Sequence, residues 1–565
     1  MFAWRAVGVA TILGLIGTAT AECPRGTSCD PGPRPVGGQF SSFLGPVNSA
    51  GVPLLRTPIV NTKQPSDANG NEGAGQVIRQ GGGATGFWFK TIAPFGQLAS
   101  VDGAEDPVTG DPTIRGLGPS FNGNSCFMCH SHPAIGGSSP GPGTPGFREN
   151  PQIALARVFG ANNLENYSAF ITPNGPVREA RFIVSESDRN RRTLDGGVHG
   201  LFTIQGRTDA PSGCFAPQPD IATQLANNNV SFRIPTPTFG LGLIENVSDA
   251  DLIINAQREH GFNSDIPDAT ASIQDASVNI QNAILNRSGN DGTVARFGWK
   301  AQNKSLFLFA AEATNVEMGI TNEVFPNERA TGTNCATNPF PEDQTNTAFQ
   351  TGLAPGDVDA FVSSAVENFT AFMRFNGAPS QCDFASGVDS TGNARCNPLS
   401  DSAQNGLKVF NKLGCGVCHT QSFTTQPSNV AGLSNRTFQP FSDFAVHHMG
   451  STLADGVTQG LAGPDQFRTA PLWGLGQRLF FLHDGRTSDL TEAILDHASS
   501  PGACYTTQAS QSFTVTFPLN HNATAFFAPS SGMQSCGSEA NGVISQFRNL
   551  STSQQQDLLN FLRSL

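Results

Sequence analysis

Two short stretches of the sequence place two thiols close together, with an imidazole directly after the second thiol. Each has the form C-x-x-C-H, and the six residues are Cys126, Cys129 and His130 in the first and Cys415, Cys418 and His419 in the second. In such a motif the thiols add to the vinyl groups of a haem, and the histidine binds its iron. A zinc half-site would need further paired ligands, and a thioredoxin-like redox pair would not need the histidine. We therefore expect two covalently bound haem c groups.

The first 21 residues have the form of a secretory signal peptide. Arg5 precedes an apolar run, and Ala19 and Ala21 complete a small-x-small cleavage site before Glu22. The apolar run is about 12 residues long, too short to span a bilayer, and no later segment is long and apolar enough. We expect an exported, periplasmic protein without a membrane span.

The acidic composition argues against nucleic acids and anionic membranes as the main partners. The formal net charge is −12 and the pI is about 5.3, whereas nucleic acids and anionic membranes are bound through basic surfaces. With 62 glycines, 38 prolines and only 14% charged residues, the chain should contain long loops.

Eight cysteines lie outside the two motifs, and their even number favours disulfides in an oxidising compartment. The shortest loops would pair Cys23 with Cys29, Cys382 with Cys396 and Cys504 with Cys536, leaving Cys214 with Cys335. The connectivity stays open, because sequence alone does not fix it.

The composition and the helical patterns divide the chain into segments. These are a signal peptide at 1–21, an extended N-terminal arm at 22–85, a first haem domain at 86–330, a connecting region at 331–399 and a second haem domain at 400–565. In the second domain a predicted helix, Ala403–Leu413, leads into the motif, and Ser551 with Gln554 forms a capping box before a final helix. We expect a mainly α protein of two tandem cytochrome c-like haem domains with long Gly/Pro-rich loops.

An internal repeat supports a duplicated haem domain. Phe232–Gly242 (FRIPTPTFGLG) is echoed by Phe467–Gly476 (FRTAPLWGLG), and each copy follows one C-x-x-C-H motif. The alternative is a chance likeness between two loops rich in glycine and proline.

Several blocks of the sequence resemble the bacterial di-haem cytochrome c peroxidase superfamily, and most closely its di-haem oxidoreductase branch. The matching blocks are Gly116–His130, Gly136–Pro140, Arg296–Gln302, Glu317–Phe325 and Phe467–His497. In that superfamily the C-terminal haem transfers electrons and the N-terminal haem meets peroxide. The resemblance implies a periplasmic enzyme that reduces hydrogen peroxide with electrons from a small donor, a cytochrome c or a cupredoxin. It also raises calcium as a further cofactor, which no acidic loop identifies.

The resemblance implies the ligands of the second haem as well. His483 begins an HDGR block, and 14 residues later, where the peroxidases carry a distal methionine ligand, this chain has His497. Imidazoles from both His419 and His497 would give a lower potential than a His/Met pair. Met449 is the rival ligand, and a histidine on a helix surface is the other interpretation of His497.

Three side chains are implied at the first haem. Trp299 resembles the tryptophan between the haems, where an easily oxidised indole can relay electrons. Glu317 resembles the distal glutamate, which takes a proton from the near oxygen of peroxide and returns it to the leaving oxygen. A pKa raised by desolvation would suit that role. Glu245 is the second candidate; Trp299 could instead be a core residue and Glu317 a solvated helix end.

Three other functions stay open. A pure electron-transfer cytochrome would keep both irons six-coordinate. A di-haem oxygenase, like the related rubber oxygenases, would act on an apolar substrate in a channel that some of the 42 phenylalanines could line. A maturation enzyme, like the superfamily member that acts in methylamine dehydrogenase biogenesis, would oxidise a partner protein. That superfamily member has a tyrosine ligand where this chain has His497.

Overall fold

The computed structural model describes part of the chain. The described residues are 28–33, 126–158, 170–184, 220–260, 284–327, 341–343, 364–499, 513–516, 522–525 and 537–565, with short gaps at 134–135, 145, 290, 342, 380, 382, 389–393, 398 and 431. The predicted signal peptide, most of the predicted arm and the cysteines Cys23, Cys214, Cys335, Cys382, Cys504 and Cys536 lie outside these residues. Cys29 lies inside them and is disulfide-bonded.

Short helices and a two-stranded antiparallel sheet make up the described part of the molecule that follows the first motif. The elements are a 3-10 turn at Cys126–Met128, helix α1 at Pro151–Val158, strand β1 at Glu179–Phe182, α2 at Ile221–Ala226, β2 at Val230–Arg233, α3 at Leu241–Glu245, α4 at Asp249–His260, α5 at Leu306–Val316 and α6 at Ala365–Phe375. Strands β1 and β2 pair antiparallel. Ile244, Leu306 and Phe369 bring α3, α5 and α6 into one apolar core.

The rest of the chain alternates helices with two-stranded sheets. The elements are β3 at Asp383–Val388, β4 at Ala394–Asn397, α7 at Asp401–Leu413, α8 at Cys415–Cys418, β5 at Phe423–Thr424, β6 at Thr437–Phe438, β7 at Val446–His448, α9 at Gly450–Leu453, β8 at Gln466–Arg468, a 3-10 turn at Leu475–Gln477, α10 at Leu490–Leu495, β9 at Phe513–Thr516, β10 at Asn522–Ala525, α11 at Asn541–Arg548 and α12 at Thr552–Leu562. In each sheet the two strands pair antiparallel: β3 with β4, β5 with β6, β7 with β8 and β9 with β10.

Helix α7 delivers the second motif to its position. Ser400 caps its first turn by accepting from the Ala403 amide, and Gly414, at φ 89°, ends it directly before Cys415. Glycine suits that position because a left-handed φ carries no steric cost without a Cβ. The predicted helix before the motif is thereby confirmed.

Helix α12 packs across α7. Ser551 and Gln554 form its capping box, as the sequence predicted. Gly406 of α7 lies so close to α12 that a Cβ there would be 2.0 Å from the carbonyl oxygen of Asp557. The glycine therefore permits the close crossing that buries Phe410 against Phe561, whose ring centroids are 5.4 Å apart.

The two copies of the internal repeat have the same local structure. In the first, strand β2 leads through Gly240, at φ 65°, into α3. In the second, strand β8 leads through Gly474, at φ 73°, into the 3-10 turn at 475–477. Each copy thus consists of the second strand of a two-stranded antiparallel sheet, a left-handed glycine and a helical turn, and this shared order favours duplication over chance likeness.

The amino-terminal residues 28–33 lie against the end of the chain. Ser28 Oγ donates to Gln555 Oε1 at 2.6 Å, and Asp30 forms an ion pair with Arg563. Asp30 also accepts from the backbone amide of Leu490 at 2.8 Å. Within the part of the chain described, no helix has both the length and the apolar character needed to cross a membrane.

Candidate functional site

The first C-x-x-C-H motif lines an apolar cavity. Cys126, Cys129 and His130 border about 1290 Å³ of empty space, measured out to the open solvent at its mouth. Burial raises the pKa of the Cys126 thiol to about 12 and lowers that of His130 to about 4, so the imidazole is neutral and able to bind a metal. The Nδ1 atom of His130 lies 3.0 Å from the carbonyl oxygen of Gly137, the kind of contact that orients a metal-bound histidine. This donor set fits a covalently attached haem.

Two glutamates near the end of α5 line this same cavity. Glu317 is the half-buried C-cap of the helix, close enough to Cys126 and Cys129 that its charge adds to the effect of burial in raising both thiol pKa values. Glu312 lies five residues earlier and accepts a hydrogen bond from the Asn303 amide. We predicted Glu317 from the sequence and missed Glu312, although it is the one acidic residue of the run LFLFAAEATNV.

Glu245, the second candidate for the acid–base role, does not line this cavity. Arg374 binds its carboxylate at two points, Nε to Oε2 at 2.6 Å and Nη2 to Oε1 at 3.1 Å. The backbone amide of Leu306 also donates to Oε1, at 2.9 Å. Glu245 therefore joins α3 to the start of α5 and to α6, and its oxygens are engaged in structural contacts away from the cavity.

The second motif lines a second apolar cavity, with about 1480 Å³ of empty space including its open mouth. Cys415, Cys418 and His419 contribute to its wall, together with both candidate distal ligands, His497 and Met449. Burial raises the pKa of the Cys415 thiol to about 12. The cavity thus brings together the residues that the sequence assigned to the second haem.

The two histidines of this cavity are held in the same way. His419 Nδ1 lies 2.9 Å from the carbonyl oxygen of Phe441, and His497 Nδ1 lies 2.8 Å from that of Ala493. Burial lowers the pKa of His419 to about 4 and that of His497 below its usual value. Both rings are thus neutral, and Nε2 is the nitrogen that each can offer to a metal. His497 therefore fits a ligand role better than a surface role.

His447 also lines the second cavity, but its ring is engaged differently. Its Nε2 lies 2.7 Å from Asp443 Oδ2 and its Nδ1 lies 2.9 Å from Glu539 Oε2. Burial alone would lower the pKa of His447, but Cys418 and Asp443 raise it well above its usual value. With both nitrogens bound to carboxylates, His447 is a charged residue of the wall and does not fit a ligand role.

Among the described residues, one group of three side chains has metal-ligand spacing: Cys418, Asp443 and His447. A thiol and an imidazole are not ligands that calcium prefers, and Cys418 belongs to the haem motif. The described residues thus offer no such cluster for the calcium ion that the resemblance raised.

Trp299 belongs to the walls of both cavities. Its indole Nε1 donates to the carbonyl oxygen of Ile234 at 2.9 Å. On the side of the second cavity its ring meets His483 edge-on, with centroids 6.4 Å apart, and Phe467 stacks on His483 at 4.2 Å. Trp299 is 8% exposed, so it is a packed residue as well as the element that the two cavities share.

Each cavity thus has the two thiols and the histidine of a haem attachment motif, and both cavities include Trp299 in their walls. Residues 195–514 match the family model described as "Di-haem oxidoreductase, putative peroxidase". The match spans more than half of the chain, so the chain belongs to this di-haem oxidoreductase family, as its motifs indicated, and two haems follow from that membership. Trp299, Glu317, Met449 and His497 lie within the match, while the first C-x-x-C-H motif precedes it. No curated protein was found to match the chain.

Proposed function

We propose that this protein is a periplasmic peroxidase, which reduces hydrogen peroxide at its first haem with electrons that enter at its second. The observation that carries the proposal is the asymmetry of the two cavities. Glu317 and Glu312 line the first, whereas imidazoles from His419 and His497 line the second. The second cavity is also lined by Glu539, but the oxygens of that carboxylate are engaged by His447 Nδ1 and the His448 amide. The first cavity thus has carboxylates for proton transfer, and the second has two neutral imidazoles able to bind one metal.

The cysteines of the two motifs would hold the haems covalently, and the haem irons would supply the electrons and the site for peroxide. His130 would bind the first iron; His419 and His497 would bind the second. Two cytochrome c-like domains in tandem, mainly α in fold, stay the proposed architecture; α7 and α12 beside the second motif are the helices on which the proposal rests.

Glu317 would act as the acid–base group of the first cavity, moving a proton between the two oxygens of peroxide. Its position at the end of α5 places it in the cavity wall. Trp299 would carry electrons across the wall between the cavities. Its Nε1–H group donates to the Ile234 carbonyl oxygen, which holds the ring in place. A carbonyl oxygen is too weak a base to remove the indole proton.

An oxygenase acting on an apolar substrate is the second candidate. Phe309, Phe369 and Met373 line the same cavity as the two glutamates, and such a wall suits an apolar molecule. Dioxygen and hydrogen peroxide are therefore the two oxidants to compare.

Rapid mixing of the half-reduced holoprotein with hydrogen peroxide tests the proposal. We expect both haems to oxidise in one turnover, the second more slowly in W299F than in wild type. W473F is the matched control, because Trp473 is equally buried and lines neither cavity. A protein that is inert to peroxide, but binds dioxygen stably after full reduction, would support the oxygenase instead. A protein that reacts with neither would be an electron-transfer cytochrome.

A further inference from the structure

Arg478 is a buried cation in the wall of the second cavity. It is 8% exposed, and among the described residues its guanidinium has no hydrogen-bond acceptor and no carboxylate partner. Burial is the one cause that lowers its pKa, to about 10. A guanidinium stays protonated at neutral pH, so a buried one needs an anion close to it.

Arg468 lies in the same wall and is also incompletely satisfied. Its Nε donates to the carbonyl oxygen of Gly298 at 2.8 Å, while its buried Nη1 has no partner among the residues that the structure describes. Asp443 lies near enough to oppose the lowering of the Arg468 pKa by burial. The oxygens of that carboxylate, however, are engaged by His447 Nε2 and by the Ala445 amide.

Two other buried arginines bind carboxylates. Arg233, which holds the place of Arg468 in the first copy of the repeat, binds Asp455 at 2.6 Å. Arg563 binds Asp30 at 2.5 Å. Arg468 and Arg478 differ from these two, because among the described residues neither forms an ion pair. The carboxylate of Glu539 lines the same cavity, but its oxygens are engaged by His447 Nδ1 and the His448 amide. The occupant of the cavity is therefore the remaining source of an anion.

A haem carries two propionate carboxylates at one edge, and it is the occupant that the motif at Cys415–His419 predicts. We propose that Arg468 and Arg478 bind the propionates of the second haem. The planar guanidinium offers paired donors to a carboxylate, which is why arginine suits such contacts. The first cavity differs, because its corresponding arginine, Arg233, is already paired with Asp455.

The assignment ties the second haem to the wall between the cavities. The backbone amide of Arg468 donates to the carbonyl oxygen of Trp299 at 2.8 Å, in addition to the side-chain bond to Gly298. Arg468 therefore links the propionate edge to the segment that carries the shared indole. This inference rests on the second haem and not on peroxide as substrate, so loss of the peroxidase proposal would leave it standing.

The test uses holoprotein with two haems, counted by the pyridine haemochrome assay. In R478Q we expect a lower midpoint potential for the second haem and an unchanged one for the first, because the lost cation favoured the reduced state. R548Q is the matched control: Arg548 lies at the exposed end of α11 in the same unit, and both potentials should equal those of wild type. R478K, which keeps the charge, should restore most of the potential.

Resonance Raman spectroscopy of the same proteins reports the propionates directly. We expect the propionate bending band of one haem to shift in R478K and R468K, because the ammonium group replaces a two-pronged contact by a single donor. If R478Q yields no holoprotein, R478K and R468K decide the question by this band. An unshifted band in both, or a potential change of equal size at both haems in R478Q, would overturn the assignment.

Discussion

Asp30 and Arg563 form a two-pronged ion pair between residues 533 positions apart. Arg563 Nε donates to Oδ1 at 2.7 Å and Nη2 to Oδ2 at 2.5 Å. The third nitrogen, Nη1, donates to the carbonyl oxygens of Leu475, Gly476 and Arg478. The arginine side chain is fully buried. One cation therefore joins the amino-terminal segment, the turn at 475–477 and the last helix.

Removing the carboxylate of this pair should destabilise the protein strongly. We expect D30N to lower the free energy of unfolding by roughly 3 kcal/mol, because Arg563 then stays buried without its anion. D291N is the matched control, since Asp291 pairs with Lys304 in solvent; its stability should match that of wild type. Urea unfolding of the holoproteins at pH 7 measures both, and equal midpoints for D30N and D291N would contradict the expectation.

Stability should also fall between pH 6.5 and pH 4 because of His483. Burial lowers the pKa of His483 to about 4 in the folded protein, against about 6.5 in an unfolded chain. The unfolded state then binds the proton first, so unfolding is favoured as the pH falls through this window. The loss amounts to roughly 3 kcal/mol at full effect.

The variant H483Q isolates that contribution. Its free energy of unfolding, measured by urea titration at pH 7, 6, 5 and 4, should decline less steeply than that of wild type. If the free energies of unfolding of the two proteins fall in parallel over this range, His483 has the same pKa in the folded and the unfolded state, and the prediction is wrong.

Two carboxylates in the first cavity compete for the proton-transfer role. If Glu317 moves the proton of peroxide, E317Q should lose roughly 100-fold or more in the rate of peroxide reduction. E312Q is its matched partner, removing a charge from the same helix and the same cavity, and should lose far less. Steady-state turnover at equal haem content gives the comparison. A larger loss in E312Q would transfer the role to Glu312.

The distal ligand of the second haem can be identified by exchange. We expect H497M to raise the midpoint potential of the second haem, because a thioether favours the reduced iron more than an imidazole does. M449L should leave the potential and the low-spin electron paramagnetic resonance signal unchanged. Loss of that signal in M449L, with H497M unaffected, would make Met449 the ligand.

The sequence predicted those parts of the site that depend on local spacing. The C-x-x-C-H motifs, the helix leading to Cys415 and the capping box at Ser551 are encoded within a few residues, and the structure contains each of them. His497 was proposed through the resemblance, as the residue 14 positions after His483. It lines the same cavity as His419, and its role as a ligand stays a prediction.

Contacts between distant segments were not available from the sequence. Glu245 directly follows the apolar residues Leu243 and Ile244 in the sequence, and only the fold shows that Arg374, 129 residues later, binds its carboxylate. Arg468 lies in the repeat and Arg478 lies two residues after it, and the sequence singled out neither, because their burial depends on how several elements pack around one cavity. The composition of residues 22–85 predicted an extended arm. It did not predict the contact of Asp30 with Arg563, because that contact depends on tertiary packing.

The pair formed by Asp30 and Arg563 has a consequence for biosynthesis. Residue 563 is synthesised 533 positions after residue 30, so the Asp30 carboxylate lacks its cation until translation has passed residue 563. The contact between the amino-terminal segment and α12 can therefore form only late in synthesis. Loss of Arg563 would leave Asp30 and the turn at 475–477 without the cation that they share.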